Sequence, residues 1–430
     1  EIIFHLLLLI FLTSFPVNKY LFFENNTIKD LNFVVTIGIN TLFLMFLLLF
    51  FSFFKIQLES IFYLILIIYI GLFSKILFFR KKKIVIKNWP QILFFLFSLF
   101  CIFLNTGFQL ELGWDGFNWI EKANFFYNDG YLFDINEFTK TYQNYPHLGT
   151  YIWAFFWKNS FLDYEYIGRL FYNYLYVVSI FSIIFSFQNI NNIKKILLFI
   201  LIFFCTFDDG LGGYQDYLIF SILTIFATSL VNNYFNKNNF LFYTVYLLAG
   251  ALLPWIKNEG TIYSIFLIIV FLTYEFQIKK NKNYLKFLFS TLIIFSILIR
   301  FIINNYIFGE GIFDSHSGNS FGFEINFNLI FTKIFYIFYY IVNSFFKYPL
   351  WLFNLIGLIL SLYFLKRFSV LRVFIIFFIL NFLFIFFIYL SASTNIIIWY
   401  LSASLDRLIL QTSGFYFVIF ALINKKIVKF

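Results

Sequence analysis

Four short polar runs interrupt an otherwise apolar chain, and each holds residue types that do chemistry. The first is Leu112-Gly113-Trp114-Asp115-Gly116-Phe117-Asn118-Trp119, followed by Lys122-Ala123. A carboxylate flanked by Trp rings and glycines just past an apolar segment is partly desolvated, which suits Asp115 to accept a proton from a hydroxyl; the plainer role is an N-cap opening a surface helix. The second run, Asp208-Asp209-Gly210-Leu211-Gly212-Gly213-Tyr214-Gln215-Asp216, gathers carboxylates and glycines. Such a set either coordinates a cation or orients a substrate hydroxyl, or it is a flexible turn whose last Asp caps the next helix.

The third run is Leu253-Pro254-Trp255-Ile256-Lys257-Asn258-Glu259-Gly260, with almost no loop around it. Ionisable groups at membrane depth cost about 2.5 to 3.5 kcal/mol each, so Lys257 and Glu259 are expected to be paired, with each other or with a ligand. The fourth, Trp399-Tyr400-Leu401-Ser402-Ala403-Ser404-Leu405-Asp406-Arg407, enters the last apolar segment. The planar guanidinium of Arg407 suits two-pronged recognition of a phosphate at a membrane surface; alone, Asp406 and Arg407 would be a boundary anchor.

Other chemistries are excluded. His147 and His316 have neither a second His at helical spacing nor a His-Glu pairing of zinc type, so no catalytic metal is expected. Walker-type glycine loops are absent, which removes ATP-driven transport by this chain, and no GxSxG elbow occurs. No cofactor is indicated, a divalent cation at the carboxylates being compatible but not required. Cys101 and Cys205 lie in apolar segments without metal or redox spacing and read as inert.

The elements that must position these residues follow from composition. The chain has 430 residues, 62% hydrophobic and 12% charged, and a mean hydropathy of +0.85, so it is an all-α polytopic membrane protein rather than a soluble globule. Ten-residue alternation of barrel type does not appear. Phe accounts for 74 residues beside much Ile, Asn, Lys and Tyr, a set that shares AT-rich codons. Individual Phe residues therefore carry little information, whereas clusters of Trp, Pro, Gly, Asp, Glu and Arg stand out.

The net charge of +10 resides largely in short clusters around Arg80-Lys83, Lys194-Lys195, Lys237, Lys279-Lys286, Lys366-Arg372 and Lys425-Lys429. The positive-inside rule makes these cytoplasmic, and nucleic acid is not a partner. Spans are then expected near Ile2 to Phe15, Asn32 to Phe54, Ser60 to Phe79 and Trp89 to Thr106, which puts the acidic, aromatic loop Gly107 to His147 outside. After it come a short re-entrant or surface helix at His147 to Trp157 and a span at Glu165 to Phe187. Further spans are expected at Ile196 to Phe207, Tyr217 to Val231, Phe240 to Trp255, Thr261 to Phe276 and Tyr284 to Ile303. An outside loop, Asn304 to Asn328, follows. Leu329 to Leu365, with Lys347-Tyr348-Pro349 at its middle, reads as one broken or strongly tilted crossing, and Val373 to Leu390 and Leu408 to Ile423 complete about 11 to 13 crossings. The first residue is Glu1, so a segment upstream is expected, and no cleavable signal peptide is recognisable. This topology sets Asp115, Asp208, Asp209, Asp216, Lys257, Glu259, Asp406 and Arg407 on the same, non-cytoplasmic side.

In their order, Gly113-Trp114-Asp115 with Lys122-Ala123, Tyr145-Pro146-His147, Gly213-Tyr214-Gln215-Asp216, Trp255-Ile256-Lys257-Asn258-Glu259-Gly260 and Ser402-Ala403-Ser404-Leu405-Asp406-Arg407 resemble the motifs of bacterial polytopic C-type (GT-C) glycosyltransferases, relatives of the protein O-mannosyltransferase and aminoarabinose transferase group. The resemblance covers roughly Trp89 to Ile423. It implies additional N-terminal membrane helices over 1–88, a catalytic membrane domain over 89–423 with the outside loop 107–147, and a cytoplasmic tail over 424–430. The activity implied is transfer of a sugar, with inversion, from a polyprenyl-phosphate donor to a hydroxyl of a glycan, lipid or protein acceptor. The reaction is expected on the outer face of the bacterial cytoplasmic membrane.

Asp115 matches the loop aspartate that acts at the acceptor hydroxyl. Lys257 or Arg407 is expected on the departing phosphate, Asp216 and Glu259 as substrate-orienting acids, and Trp114, Trp119, Tyr145 and His147 around the sugar. The mannosyltransferase group often carries an adjacent Asp-Glu pair in this loop, whereas Gly116 follows Asp115 here, with Glu111 and Glu121 as the nearest loop acids. With only a short tail after its last span, a membrane-proximal acceptor is expected over a bound polypeptide. The competing expectation is a flippase or transporter of lipid-linked sugars without catalysis, in which charged groups would line a path at several depths.

Overall fold

The computed structural model describes residues 1–13, 33–79, 89–108, 114–135, 145–186, 192–207, 211–236, 239–279, 286–308, 329–392 and 397–427. Among them the chain is helical throughout and forms no strand. In chain order the helices are α1 (Ile2–Thr13), α2 (Phe33–Ser52), α3 (Leu58–Phe79), α4 (Trp89–Phe108), α5 (Trp114–Tyr127), α6 (Leu148–Lys158), α7 (Glu165–Ser186) and α8 (Asn192–Thr206). They continue as α9 (Gln215–Asn236), α10 (Asn239–Leu252), α11 (Asn258–Thr273), α12 (Phe287–Ile302), α13 (Ile330–Lys347), α14 (Pro349–Tyr363), α15 (Leu371–Ser391) and α16 (Ile397–Ile427).

Six of these are long and apolar enough to cross a bilayer: α7, α9, α11, α12, α15 and α16, the third and fourth being extended by π-helical turns at Tyr274–Ile278 and Ile303–Ile307. The chain is therefore a polytopic all-α membrane protein. Taking α13 and α14 together as one broken span gives up to 7, and five further apolar helices, within α1 to α4 and over Phe240–Trp255, are shorter. These counts are of the described residues; α2, α3 and α4, at 20, 22 and 20 residues, are themselves of spanning length.

The centre of the bundle is α7, whose membrane-length window is wholly enclosed by neighbouring helices. Polar rungs tie it in place: Gln215 Nε2 donates to Tyr172 Oη at 2.8 Å, Tyr176 and Thr206 share a hydroxyl contact at 2.5 Å, and Thr13 and Tyr174 another at 2.5 Å. Interhelical hydrogen bonds of this kind contribute about 0.6 kcal/mol each in a membrane, so helix contact also depends on close packing. The approach of α9 to α16 shows it. Gly414 faces Thr224 so closely that a Cβ would overlap the threonine side chain, and Phe226 meets Phe415 at 6.1 Å. Because Asp216 lies beside Arg407 and Phe226 beside Phe415, α9 and α16 run parallel. On the far side of α16, Phe415 stacks on Phe377 of α15 at 3.8 Å.

Helices α9 to α12 alternate in direction, which sorts their polar residues to two ends. At one end Trp255 Nε1 donates to Ser296 Oγ at 2.9 Å and Lys257 reaches Asp216. At the other, Tyr243 Oη donates to Glu275 at 3.2 Å, Lys279 pairs with the same carboxylate at 3.3 Å, and Lys286 binds it too. Lys279 and Lys286 therefore lie at the end opposite Asp216.

Two expectations about shorter elements are modified. Helix α6 is too short to cross, as expected for His147 to Trp157, but it is no surface helix: every residue from Leu148 to Phe156 is buried, packed against α5 and α7. The Leu329 to Leu365 stretch is broken where Pro349 starts α14 and Tyr348 is extended, since Pro forces its predecessor out of helical geometry. The two halves meet at 99°. Helix α14 then runs beside α16, with Trp351 at Asp406 and Gly357 at Tyr416.

Candidate functional site

Two turns and one long helix deliver charge to one place. Gly213 adopts φ 142°, a conformation open to glycine, and turns the chain so that α9 opens with Gln215 and Asp216. A 3-10 turn at Leu253–Trp255, with Pro254 at its start, ends α10; Lys257 is extended and α11 begins with Asn258 and Glu259. The third contribution comes from Arg407 and Gln411, one helical turn apart on α16.

Asp216 is the hub. Its Oδ1 accepts from Lys257 Nζ at 3.0 Å and from Gln411 Nε2, and its Oδ2 accepts from Arg407 Nε at 3.1 Å and Nη2 at 2.8 Å. The residue is 1% exposed, so it is a buried carboxylate with its lone pairs saturated by donors. Neither proton acceptance nor metal coordination is open to a carboxylate held this way. Lys257 also reaches Glu259 Oε1 at 3.3 Å. The Arg407 guanidinium lies 5.2 Å from the Tyr214 ring centroid and keeps part of its surface exposed.

Arg300 extends the cluster. It is buried near the end of α12 and donates through Nη2 to Asn258 Oδ1, next to Glu259. Lys257, Arg407 and Arg300 thus share one largely buried ionic cluster with Asp216 and Glu259, where each charge depends on its partners. Beside Arg300 lies a narrow cleft of about 10 Å³, room for a single water, walled by Tyr145, His147, Trp255 and Asn304.

That cleft joins the ionic cluster to the loop preceding α6. The His147 ring packs on Trp255 at 5.6 Å and on Phe53 at 6.0 Å. Ser52 Oγ gives its proton to the Leu49 carbonyl at 2.7 Å, so its 2.8 Å contact with His147 is a donation from Nε2–H. Burial, reinforced by the charges of Lys122 and Arg300, pushes the imidazole down to about 3, which keeps it neutral. Trp119 is buried against Tyr145 at 5.5 Å, and Lys122 Nζ donates to the Tyr145 carbonyl at 3.1 Å.

The residues singled out in the sequence thus separate into groups. Asp216, Lys257, Glu259 and Arg407 come together in one cluster. Tyr145 and His147 stand at the adjoining cleft. Trp119 is packed inside, so it serves as a support for Tyr145 rather than a platform open to a ligand. Trp114 and Asp115 form the first turn of α5, while their side chains, like Gly113, Asp208 and Asp209, lie outside the described residues. Asp406, although adjacent to Arg407, turns away and accepts from Trp351 Nε1 at 2.8 Å, which fastens the α13–α14 corner to α16.

Sequence reasoning passed over Gln411 and Arg300. Their signals were present: Gln411 stands four residues after Arg407, and Arg300 is an arginine inside an apolar run, a position that demands a partner. No protein family, curated protein or solved structure matches the chain.

Proposed function

We propose that the chain is a membrane glycosyltransferase that moves a sugar from a polyprenyl-phosphate donor to a hydroxyl of a membrane-proximal glycan, lipid or protein acceptor. The reaction takes place at the non-cytoplasmic face of a bacterial cytoplasmic membrane. The observation that carries this reading is the meeting of Asp216, Lys257, Glu259 and Arg407, with Arg300 beside them, at the bundle end opposite Lys279 and Lys286. A sugar phosphodiester gains negative charge as its carbon–oxygen bond breaks. Cations already held in place in low dielectric favour that change, because the donors need no reorganisation when the charge develops.

Each part has a task. Arg407, partly exposed and locked in orientation by Asp216, faces the phosphate with a planar fork. Lys257 adds a second charge. Tyr145, His147 and Trp255 form a neutral aromatic support behind Arg300, around a cleft with room for no more than a water. Asp115 opens α5 and is the position that the family resemblance matches to the acceptor site.

The test is reconstitution in liposomes with undecaprenyl-phosphate-linked hexoses and pentoses, following release of free undecaprenyl phosphate. Wild-type protein is expected to release it with at least one of these donors, and Asp115→Asn to abolish the release while expressing and folding normally. Full activity of Asp115→Asn would remove that residue from the site. A donor carried across the bilayer with its sugar still attached would replace transfer with transport.

A further inference from the structure

Glu259 is unlike the other carboxylates of the cluster. Asp216 has donors on both oxygens, and Asp406 is held by Trp351. Glu259 has one ion pair, Oε1 to Lys257 Nζ at 3.3 Å, and an electrostatic interaction with Arg300, while its Oε2 is buried without a hydrogen-bond partner among the described residues. Its side chain is 19% exposed, so it sits at the edge of the cluster rather than sealed beneath it. A buried carboxylate oxygen without a donor is unfavourable in the resting protein and calls for a partner that arrives from outside.

We propose that the partner is the acceptor hydroxyl, and that Glu259, rather than Asp115, receives its proton during transfer, Asp115 being left to orient the acceptor. This assignment rests on the glycosyltransferase reading above. In the step, the acceptor oxygen forms a bond to the anomeric carbon, the bond from that carbon to the phosphate oxygen breaks with its electron pair going to the phosphate, and the hydroxyl proton passes to Glu259 Oε2. The products are the glycoside, a polyprenyl phosphate carrying one more negative charge than the donor, and a neutral Glu259.

The geometry adds a coupling. Lys257 lies between Asp216 at 3.0 Å and Glu259 at 3.3 Å. When Glu259 becomes neutral it loses its hold on the ammonium at the moment the phosphate gains charge. Lys257 is thereby released to the leaving group, while Asp216 keeps it tethered. Proton acceptance and leaving-group stabilisation are thus two ends of one charge movement.

The experiment compares wild type, Glu259→Gln and Glu259→Asp as full-length protein in liposomes, with two readouts: turnover of the undecaprenyl-phosphate-linked sugars, and binding of undecaprenyl phosphate alone. Glu259→Gln is expected to lower kcat by about 10²- to 10⁴-fold, the range for removing a general base, with KM for the donor little changed and undecaprenyl phosphate bound as in wild type. Glu259→Asp should recover part of the lost turnover. A fully active Glu259→Gln overturns the role of Glu259 and leaves glycosyl transfer standing. Loss of undecaprenyl phosphate binding in both variants assigns Glu259 to holding Lys257 in place, which also overturns it. Absence of donor turnover and of phosphate binding in wild type defeats the underlying reading, and the proposal with it.

Discussion

Arg407 and Asp216, 191 positions apart in the chain, meet through two guanidinium nitrogens at 3.1 and 2.8 Å from one carboxylate oxygen. This contact joins α9 to α16, the pair that also packs through Gly414 and Thr224. A structural tie and a partly exposed cation are therefore the same residue. Such an arrangement fixes the guanidinium before any ligand arrives, which limits the entropy lost on binding.

Breaking one partner of the tie strands the others. Asp216→Asn leaves Lys257 and Arg407 without their shared anion, a loss of about 3 to 5 kcal/mol for a buried pair. Arg407→Gln removes one cation and leaves Lys257 and Gln411 on Asp216, so it is expected to be milder. Thermal unfolding in detergent of the two single variants and the double variant measures the coupling, expected within about 0.5 to 3 kcal/mol. Strict additivity would mean that the two side chains do not interact in the membrane.

How much of this cluster was legible before the fold depends on the residue. Asp216, Lys257, Glu259 and Arg407 stood out because charges are scarce in this chain and costly at membrane depth, so each needed a partner. The pairing of Lys257 with Glu259 was readable from their spacing, but the partners of Asp216 and Arg407 were not. Sequence spacing does not reveal that α9 and α16 run parallel, or that Asp406 and Arg407 point to different neighbours. The break at Pro349 was readable because proline removes a donor and restricts Tyr348. Burial of α6 was not, since a short apolar helix looks the same in sequence whether lipid or protein covers it.

His147 provides a pH test independent of any substrate. Its imidazole titrates near 6.5 when exposed and at about 3 in the folded protein. Between these values the unfolded chain holds more protons than the folded one, so stability is lost as pH falls from 6.5 towards 3, and this contribution is flat above that window. The slope from one group is at most about 1.4 kcal/mol per pH unit. Melting temperature in detergent, followed downward from neutral pH, should fall less steeply in His147→Gln, which retains a donor for Ser52. Equal slopes in the variant and wild type would assign the acid sensitivity elsewhere.

The 99° corner between α13 and α14 makes a prediction about depth. Helix α14 runs beside α16, a helix long enough to cross, so α13 is turned nearly at right angles to the crossing direction. One face of α13 buries Lys333, Ile337, Ile341 and Ser344, and Lys333 Nζ donates to the Leu390 carbonyl at 3.1 Å at the end of α15. The opposite face exposes Phe331, Phe335, Tyr339 and Phe346. An amphipathic helix with an aromatic outer face lies in the membrane interface rather than across the bilayer. With Cys101 and Cys205 replaced by Ser, single cysteines at Phe331, Phe335 and Phe346 can carry a fluorophore, quenched by phospholipids brominated at different depths. These three positions are expected to share one shallow depth, whereas labels at the exposed Ile379, Leu383 and Phe387 of α15 should step progressively through the bilayer. A depth that also steps along α13 would restore the single tilted crossing and separate this helix from the membrane surface beside Arg407.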